Sequence, residues 1–424
     1  MIKQQSSTHS KLRSDYKINA TQMFTGIIIL LGVMAFAKLK YQSNSMSGFQ
    51  LIIGLAMGYI LQRSRFGFAG GVRRIYITGD SSLTKALMIL FSITIIITTA
   101  IHYSAFINGT DIPGIKSVVP ANIVTVLGAI LFGIGMMFGG GCASGTLTDL
   151  GEGEGRAFIV LIFFIIGSLI GVNNLPWWQE SVFYKMGTTL YLPDVFGYMG
   201  SLLISLLGFL IIYILAKKYE NKRKNEDTVL NVDYEEWEKA LPEQKNYKIF
   251  SAETYHKFFV ERWSFYKGAV LFSAMFIVLL IVSGSSWGVT TTFAKWGGSI
   301  AHSLGIVDIS TWPWFEGKIE PMSKVFFEDG GSLRNIGLIL GALVSALLAG
   351  RFSLKFKFTM RDIIYYAIAG LMMGYGARIA LGCNAGALYS GIVNFSLSGW
   401  VYLPSITIGG IIGIKLVKKL KINC

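Results

Sequence analysis

The sequence predicts an all-α integral membrane protein, with about ten transmembrane helices plus four re-entrant half-helices in two inverted repeats. Three observations predict it. Hydrophobic residues make up 52% of the 424, charged residues only 15%, and glycine contributes 49, with a mean hydropathy of +0.54. Soluble domains are about a quarter charged. Apolar stretches of bilayer length recur along the chain, and one glycine–cysteine motif occurs twice. This composition excludes a disordered chain, a secreted disulfide scaffold and an ordinary cytosolic enzyme.

A helix crosses a bilayer with about 20 apolar residues. Such stretches lie at 21–39, 47–62, 83–103, 121–138, 156–172 and 195–216. After a polar stretch they resume at 268–284, 333–350, 363–381 and 399–417. The first has no small-residue cleavage site and runs into Lys38 and Lys40, so it reads as a retained helix rather than a signal peptide.

The net charge of +14 is no nucleic-acid footprint, because it sits mostly at the ends of apolar spans. Cytoplasmic loops carry the excess of Lys and Arg. Placing the N-terminal Lys3, Lys11, Arg13 and Lys17 inside also puts Arg63, Arg65, Arg73 and Arg74 there, with Lys217–Lys224, Arg351–Arg361 and the C-terminal lysines. The outward loops near 104–120 and 173–194 hold one lysine each, Lys116 and Lys185. Lys38 and Lys40 are the exception. Ten spans with both termini cytoplasmic result.

The chain divides into a tail and first helix (1–45), a first membrane repeat with an additional helix (46–216), a cytoplasmic linker (217–266), and a second repeat with its tail (267–424). The linker balances ten basic against ten acidic residues and is too short for a sizeable core. Its segment EEWEKALPEQ reads as a short exposed helix.

The repeat is visible without gaps. GIGMMFGGGCASGTL at 133–147 aligns with GYGARIALGCNAGAL at 374–388, so that Gly141, Cys142 and Gly145 fall on Gly382, Cys383 and Gly386. A weaker echo pairs SRFGF, from Ser64, with SSWGV, from Ser285. The first pair follows spans two and four, the second spans seven and nine. An odd number of crossings separates the copies, so the halves are expected to be inverted about an axis in the membrane plane, a recurring transporter architecture.

Too few residues follow each Gly-Cys to make another crossing. They read as short re-entrant helices with Cys near the N-terminus, where irregular backbone must be buried in protein or line a cavity. Helix N-termini present free N–H groups and about half a positive charge. Two such ends meeting near the midplane make a site for a small anion. The other reading of the same residues is glycines for helix packing and cysteines filling space.

With only three cysteines, no CxxC and four isolated histidines (His9, His102, His256, His302), neither a metal site nor a disulfide framework is expected, and no cofactor. GEGEGR at 151–156 lacks the GK[ST] ending of a nucleotide loop and reads as a turn, so any energy source is an ion gradient, a partner protein, or none.

At RSRFGFAGGVRR (63–74), GGGCASGTL (139–147), SSWGVTTTFAKWGGS (285–299) and GYGARIALGCNAGAL (374–388) the chain resembles the YeeE/YedE family of bacterial inner-membrane proteins, whose sulphur-transport domain is linked to thiosulfate uptake. The later two motifs are most similar to the YedE branch, associated with selenium metabolism. The resemblance implies an hourglass-like body of inverted repeats with half-helices meeting at the waist, and waist cysteines that hand the anion along by S–H hydrogen bonds. Cys142 and Cys383 occupy two of those positions; where the family often has RFCF, this chain has Gly67.

The expected path is therefore Cys142, Cys383, Gly141, Gly382, Ser144, Gly145, Asn384, Gly386 and Arg378. The protonated thiol is the expected form, since a thiolate would repel the substrate. Ser144 and Asn384 are expected either to donate to the anion or to cap the half-helices. An intramembrane Arg is a functional candidate by default; Arg378 either faces the path or snorkels, and its counterpart is Met137. Cys424 lies outside the path. The function implied is uptake of a small sulfur-containing anion, thiosulfate first and a selenite-like compound second, aided by a cytoplasmic sulfurtransferase. The rivals are a membrane sulfur-relay enzyme with a cysteine persulfide, which lacks a nearby histidine base, and a structural membrane partner.

Overall fold

A computed structural model describes residues 18–230, 235, 238–241, 251–316 and 320–422. Cys424, His9, the basic N-terminal tail and half of the EEWEKALPEQ segment lie outside these. The described residues are helical, with only isolated β-bridges and no strand.

The long helices are α1 (Ala20–Ser43), α2 (Ser45–Ser64), α4 (Ser82–Ile107), α5 (Ile123–Phe138), α7 (Gly155–Glu180) and α8 (Leu192–Asn225). Then come α9 (Phe265–Ser283), α11 (Gly330–Leu348), α12 (Met360–Ile379) and α14 (Leu397–Leu420). Shorter helices stand between them: α3 (Phe68–Thr78), α6 (Ala143–Glu152), α10 (Thr290–Ser303) and α13 (Asn384–Val393), the last opening with a π-helical turn. Each predicted span has its long helix, and a short helix follows each of the four motifs. Among the described residues, nine helices or helix pairs are long and apolar enough to cross a bilayer on their own; α12 joins them only together with α13, across a 42° bend. The chain is an all-helical integral membrane protein.

Local chemistry sets the boundaries. Asn44 and Asn122 cap α2 and α5, each accepting from a backbone N–H of the first turn. Thr359 and Asp362 form a reciprocal capping box on α12. Helix α8 continues beyond the predicted span end at 216, because Glu220 pairs with Lys85 at 2.9 Å and Lys224 at 2.6 Å and holds the polar extension against α4.

Helices in lipid associate by close packing rather than by hydrophobic drive. At the α2–α11 contact a Cβ on Gly54 or Gly58 would collide with the Arg334 or Leu338 carbonyl, and one on Gly341 with that of Leu55. Gly167, Gly370 and Gly374 do the same for α7 and α12.

The pairings are reciprocal. Helix α2 packs on α11 and α9 on α4; α7 packs on α12 and α14 on α5. Among the shorter helices, α6 lies on α11 and α13 on α4, while α10 lies on α7 and α3 on α14. Exchanging α2–α7 for α9–α14, in order except α8, turns one pairing of each couple into the other. Helices α5 with α12, α2 with α9 and α6 with α13 meet their own counterparts.

Candidate functional site

The two cysteines are placed by the same local construction. Helix α5 ends at Phe138, Gly140 turns left-handed (φ 79°), and Cys142 stands in extended backbone as the N-cap of α6. Helix α12 ends at Ile379, Leu381 turns left-handed (φ 58°), and Cys383 is the extended N-cap of α13. The N–H of the residue four further on, Thr146 or Ala387, bonds each cysteine carbonyl at 2.7 Å. Neither thiol caps its helix, so the first-turn donors and their partial charge stay available.

Gly140 is required twice over. Its backbone favours glycine, and a Cβ there would strike Arg156. That guanidinium donates to the Gly139 carbonyl at 2.9 Å and to Asp149 at 2.7 Å, fixing the entry to Cys142. GEGEGR is thus the turn the sequence suggested, with Arg156 anchoring the loop.

Both thiols are buried. Ser144 Oγ lies 3.4 Å from Cys142 Sγ, and the backbone N–H groups of Gly145 and Ala69 lie close to that sulfur. Ala69 is in the first turn of α3, so a third helix N-terminus reaches the site. Asn384 bonds Met136 Sδ at 3.7 Å, and its Oδ1 has no partner among the described residues; it lines an apolar cavity of about 470 Å³ beside α3 and α14. Ser144 and Asn384 therefore do not cap: the cysteines hold the cap positions, and these side chains face the thiol and the cavity. Gly145 and Gly386 keep their surroundings open, with nearest neighbours Cys142 Sγ and Gly288 Cα at 3.9 Å from an added Cβ. Gly382 is packed against Ala387, and Gly141 against Gly145. At Gly67 a Cβ would meet nothing within 4 Å.

Arg378 does not snorkel. It is buried in the last turn of α12, donating to Thr290 Oγ1 at 2.8 Å and Thr291 Oγ1 at 3.4 Å in the first turn of α10. Thr291 also lines a polar cavity of about 1120 Å³ with Lys116, Lys295, Ser285 and Asp329. Arg378 thus sits behind one wall of an opening, within electrostatic reach of Cys383.

Sequence reasoning missed Tyr402. This side chain of α14 is fully buried, its hydroxyl has no hydrogen-bond partner among the described residues, and it lies near both thiols. An orphaned buried hydroxyl costs free energy, which singles it out once the structure is known. In the sequence it is one aromatic within an apolar span. Trp287 and Phe68 were also passed over; they stand 5.9 Å apart, ring to ring, with Tyr389 5.5 Å from Phe68. His102 bonds the Tyr191 hydroxyl at 2.9 Å.

The sulphur-transport family profile matches residues 63–412. The "Thiosulfate transporter TsuA" of Spirochaeta thermophila is 25% identical over 369 residues, 83% of this chain and 93% of that one. The Escherichia coli protein of the same name is 24% identical, covering 85% and 91%. The "Probable transporter YedE" of Escherichia coli is 27% identical over 164 residues, 37% of this chain and 39% of that one.

Proposed function

The chain belongs to the sulphur-transport family, and from that premise we propose that it is a multi-pass transporter taking up thiosulfate through a waist between Cys142 and Cys383. The observation that carries the reading is the matched construction of these residues: two buried thiols, each at the start of a short helix, neither used for capping. Two helix N-termini supply positive potential to a dianion without a full charge that would trap it. Thiol S–H groups are weak donors on polarizable sulfur, suited to brief contacts. Ser144 and the Tyr402 hydroxyl add donors beside them, and Arg378 lies near the mouth of the larger cavity. The reciprocal helix pairings support two inverted repeats, 46–216 and 267–424, with the short helices re-entrant. By the distribution of Lys and Arg the termini and linker lie in the cytoplasm of a bacterial inner membrane, where a sulfurtransferase would consume the product.

The test is uptake of labelled thiosulfate by cells lacking their own carrier, with selenite and sulfate as competitors. Wild type is expected to import the label, and Cys142→Ala and Cys383→Ala to lose most of it. Import unaffected by either substitution overturns the cysteine path. Import of selenite but not thiosulfate by the folded protein replaces the substrate.

A further inference from the structure

One charged cluster plays no part in the waist. Arg65 ends α2 and Arg351 follows α11; Glu152 is the last residue of α6, the helix that Cys142 begins. A helix of ten residues is about 15 Å long, so the cluster lies about 15 Å from Cys142 at the other end of the same helix. Arg65 binds Glu152 at 3.0 Å, and Arg351 approaches it at 3.5 Å. The linker supplies the second carboxylate. Glu238 Oε1 accepts from Arg65 Nε at 3.1 Å and Arg351 Nη1 at 3.0 Å, while Oε2 lies 3.7 Å from Arg262. Glu238 is nearly fully buried there.

Three guanidiniums therefore share two carboxylates, one belonging to the transmembrane body and one borne on the linker. The neighbouring charges are otherwise engaged: Arg63 donates to the Val260 and Phe258 carbonyls, and Asp149 pairs with Arg156. Burial and the adjacent Arg65 charge lower the Arg351 guanidinium to about 10, so it stays cationic at neutral pH. Replacing the single charge of Glu238 by a dianion would neutralise the three arginines and Glu152 together. Arg guanidinium is also the group best shaped for planar or tetrahedral oxyanions.

We propose that Arg65, Arg262 and Arg351 form an oxyanion-binding site at the linker end of the path, which the linker's Glu238 occupies as a tethered plug until a divalent oxyanion displaces it. The proposal rests on the transport reading for its direction, not for its chemistry. A group on a short tether acts at about millimolar effective concentration, so millimolar dianion is expected to compete with it. The linker then reports occupancy of the path.

The test uses the full-length protein, in detergent for hydrogen exchange and in proteoliposomes for flux. In wild type, thiosulfate or sulfate at millimolar concentration is expected to speed exchange of the Glu238, Arg262 and Trp263 amides, which bond Glu235, Glu238 and Arg63 carbonyls; chloride at equal ionic strength is not. Glu238→Gln is expected to exchange rapidly without anion and to lower the half-saturating thiosulfate concentration for flux from the linker side, because a tethered competitor of about millimolar effective concentration no longer opposes the anion. Exchange indifferent to divalent anions overturns the proposal, and needs no variant to fold. Glu238→Gln with wild-type flux and exchange overturns it as well, leaving cysteine-dependent transport standing. Linker release by oxyanions in a protein that moves no thiosulfate upholds the site and removes the transport reading.

Discussion

Cys142 and Cys383 share a backbone but not a neighbourhood: the first has Ser144 and the Ala69 N–H, the second Arg378 within electrostatic reach. The N-cap residue of α3 is Gly67, in extended backbone that any residue adopts, with free space where a side chain would start. Gly67→Cys is therefore expected to fold with an unchanged melting midpoint and to support uptake in a Cys142→Ala background above that of Cys142→Ala alone. Equal uptake with and without the new thiol would show that position 67 lies off the path. Arg378→Met copies the counterpart residue Met137. A charge-assisted hydrogen bond is worth about 1.5–3 kcal/mol, so the half-saturating concentration is expected to rise roughly ten- to a hundredfold, with Arg378→Lys in between. The cysteines were legible from the repeated Gly-Cys motif, and Arg378 because a charge inside a membrane is costly. Tyr402 and the Ala69 N–H were not: the first looks like any buried aromatic, and a backbone donor leaves no mark on sequence.

Helices α6 and α13 are short elements that helical propensity alone would not reveal. Their existence was legible from Gly-Cys followed by too few residues for another crossing, and each begins where the chain reverses through a left-handed residue. Those two residues differ in what they tolerate. Left-handed backbone costs a side-chain-bearing residue about 1–2 kcal/mol; Leu381 carries that strain, whereas Gly140 does not and has Arg156 against it. Gly140→Val is expected to lower stability by about 2 kcal/mol or more and Leu381→Gly to change it by less than about 1 kcal/mol, glycine's entropy offsetting the relief. Thermal unfolding in detergent measures both, and a larger loss at Leu381 would refute the ordering. The π-helical opening of α13 and the polar extension of α8 were not legible, because tertiary contacts decide each: Glu220 binds Lys85 from a different helix.

At the scale of the molecule, ten long helices followed from apolar length, and their reciprocal pairing from two short motifs. The linker was the least legible part. Its balanced charge looked like a solvated tether, yet Glu238 is buried against arginines from both halves. The proposed orientation makes a direct prediction. A cysteine replacing exposed Asp308 is expected to react with an impermeant maleimide in intact cells, and one replacing exposed Leu230 only after permeabilisation. The reverse pattern would invert the assignment.

The mismatch between Arg378 and Met137 has a kinetic consequence. A path whose two ends were chemically alike would saturate at the same concentration from either side. With a fixed cation next to one thiol only, the deepest point of the proposed path's energy profile at the waist is displaced toward that thiol. Under equal and opposite gradients a saturable path of this kind conducts unequally. It loads from dilute solution on the arginine side and empties slowly back through it, so the conduit rectifies while its equilibrium stays indifferent to direction.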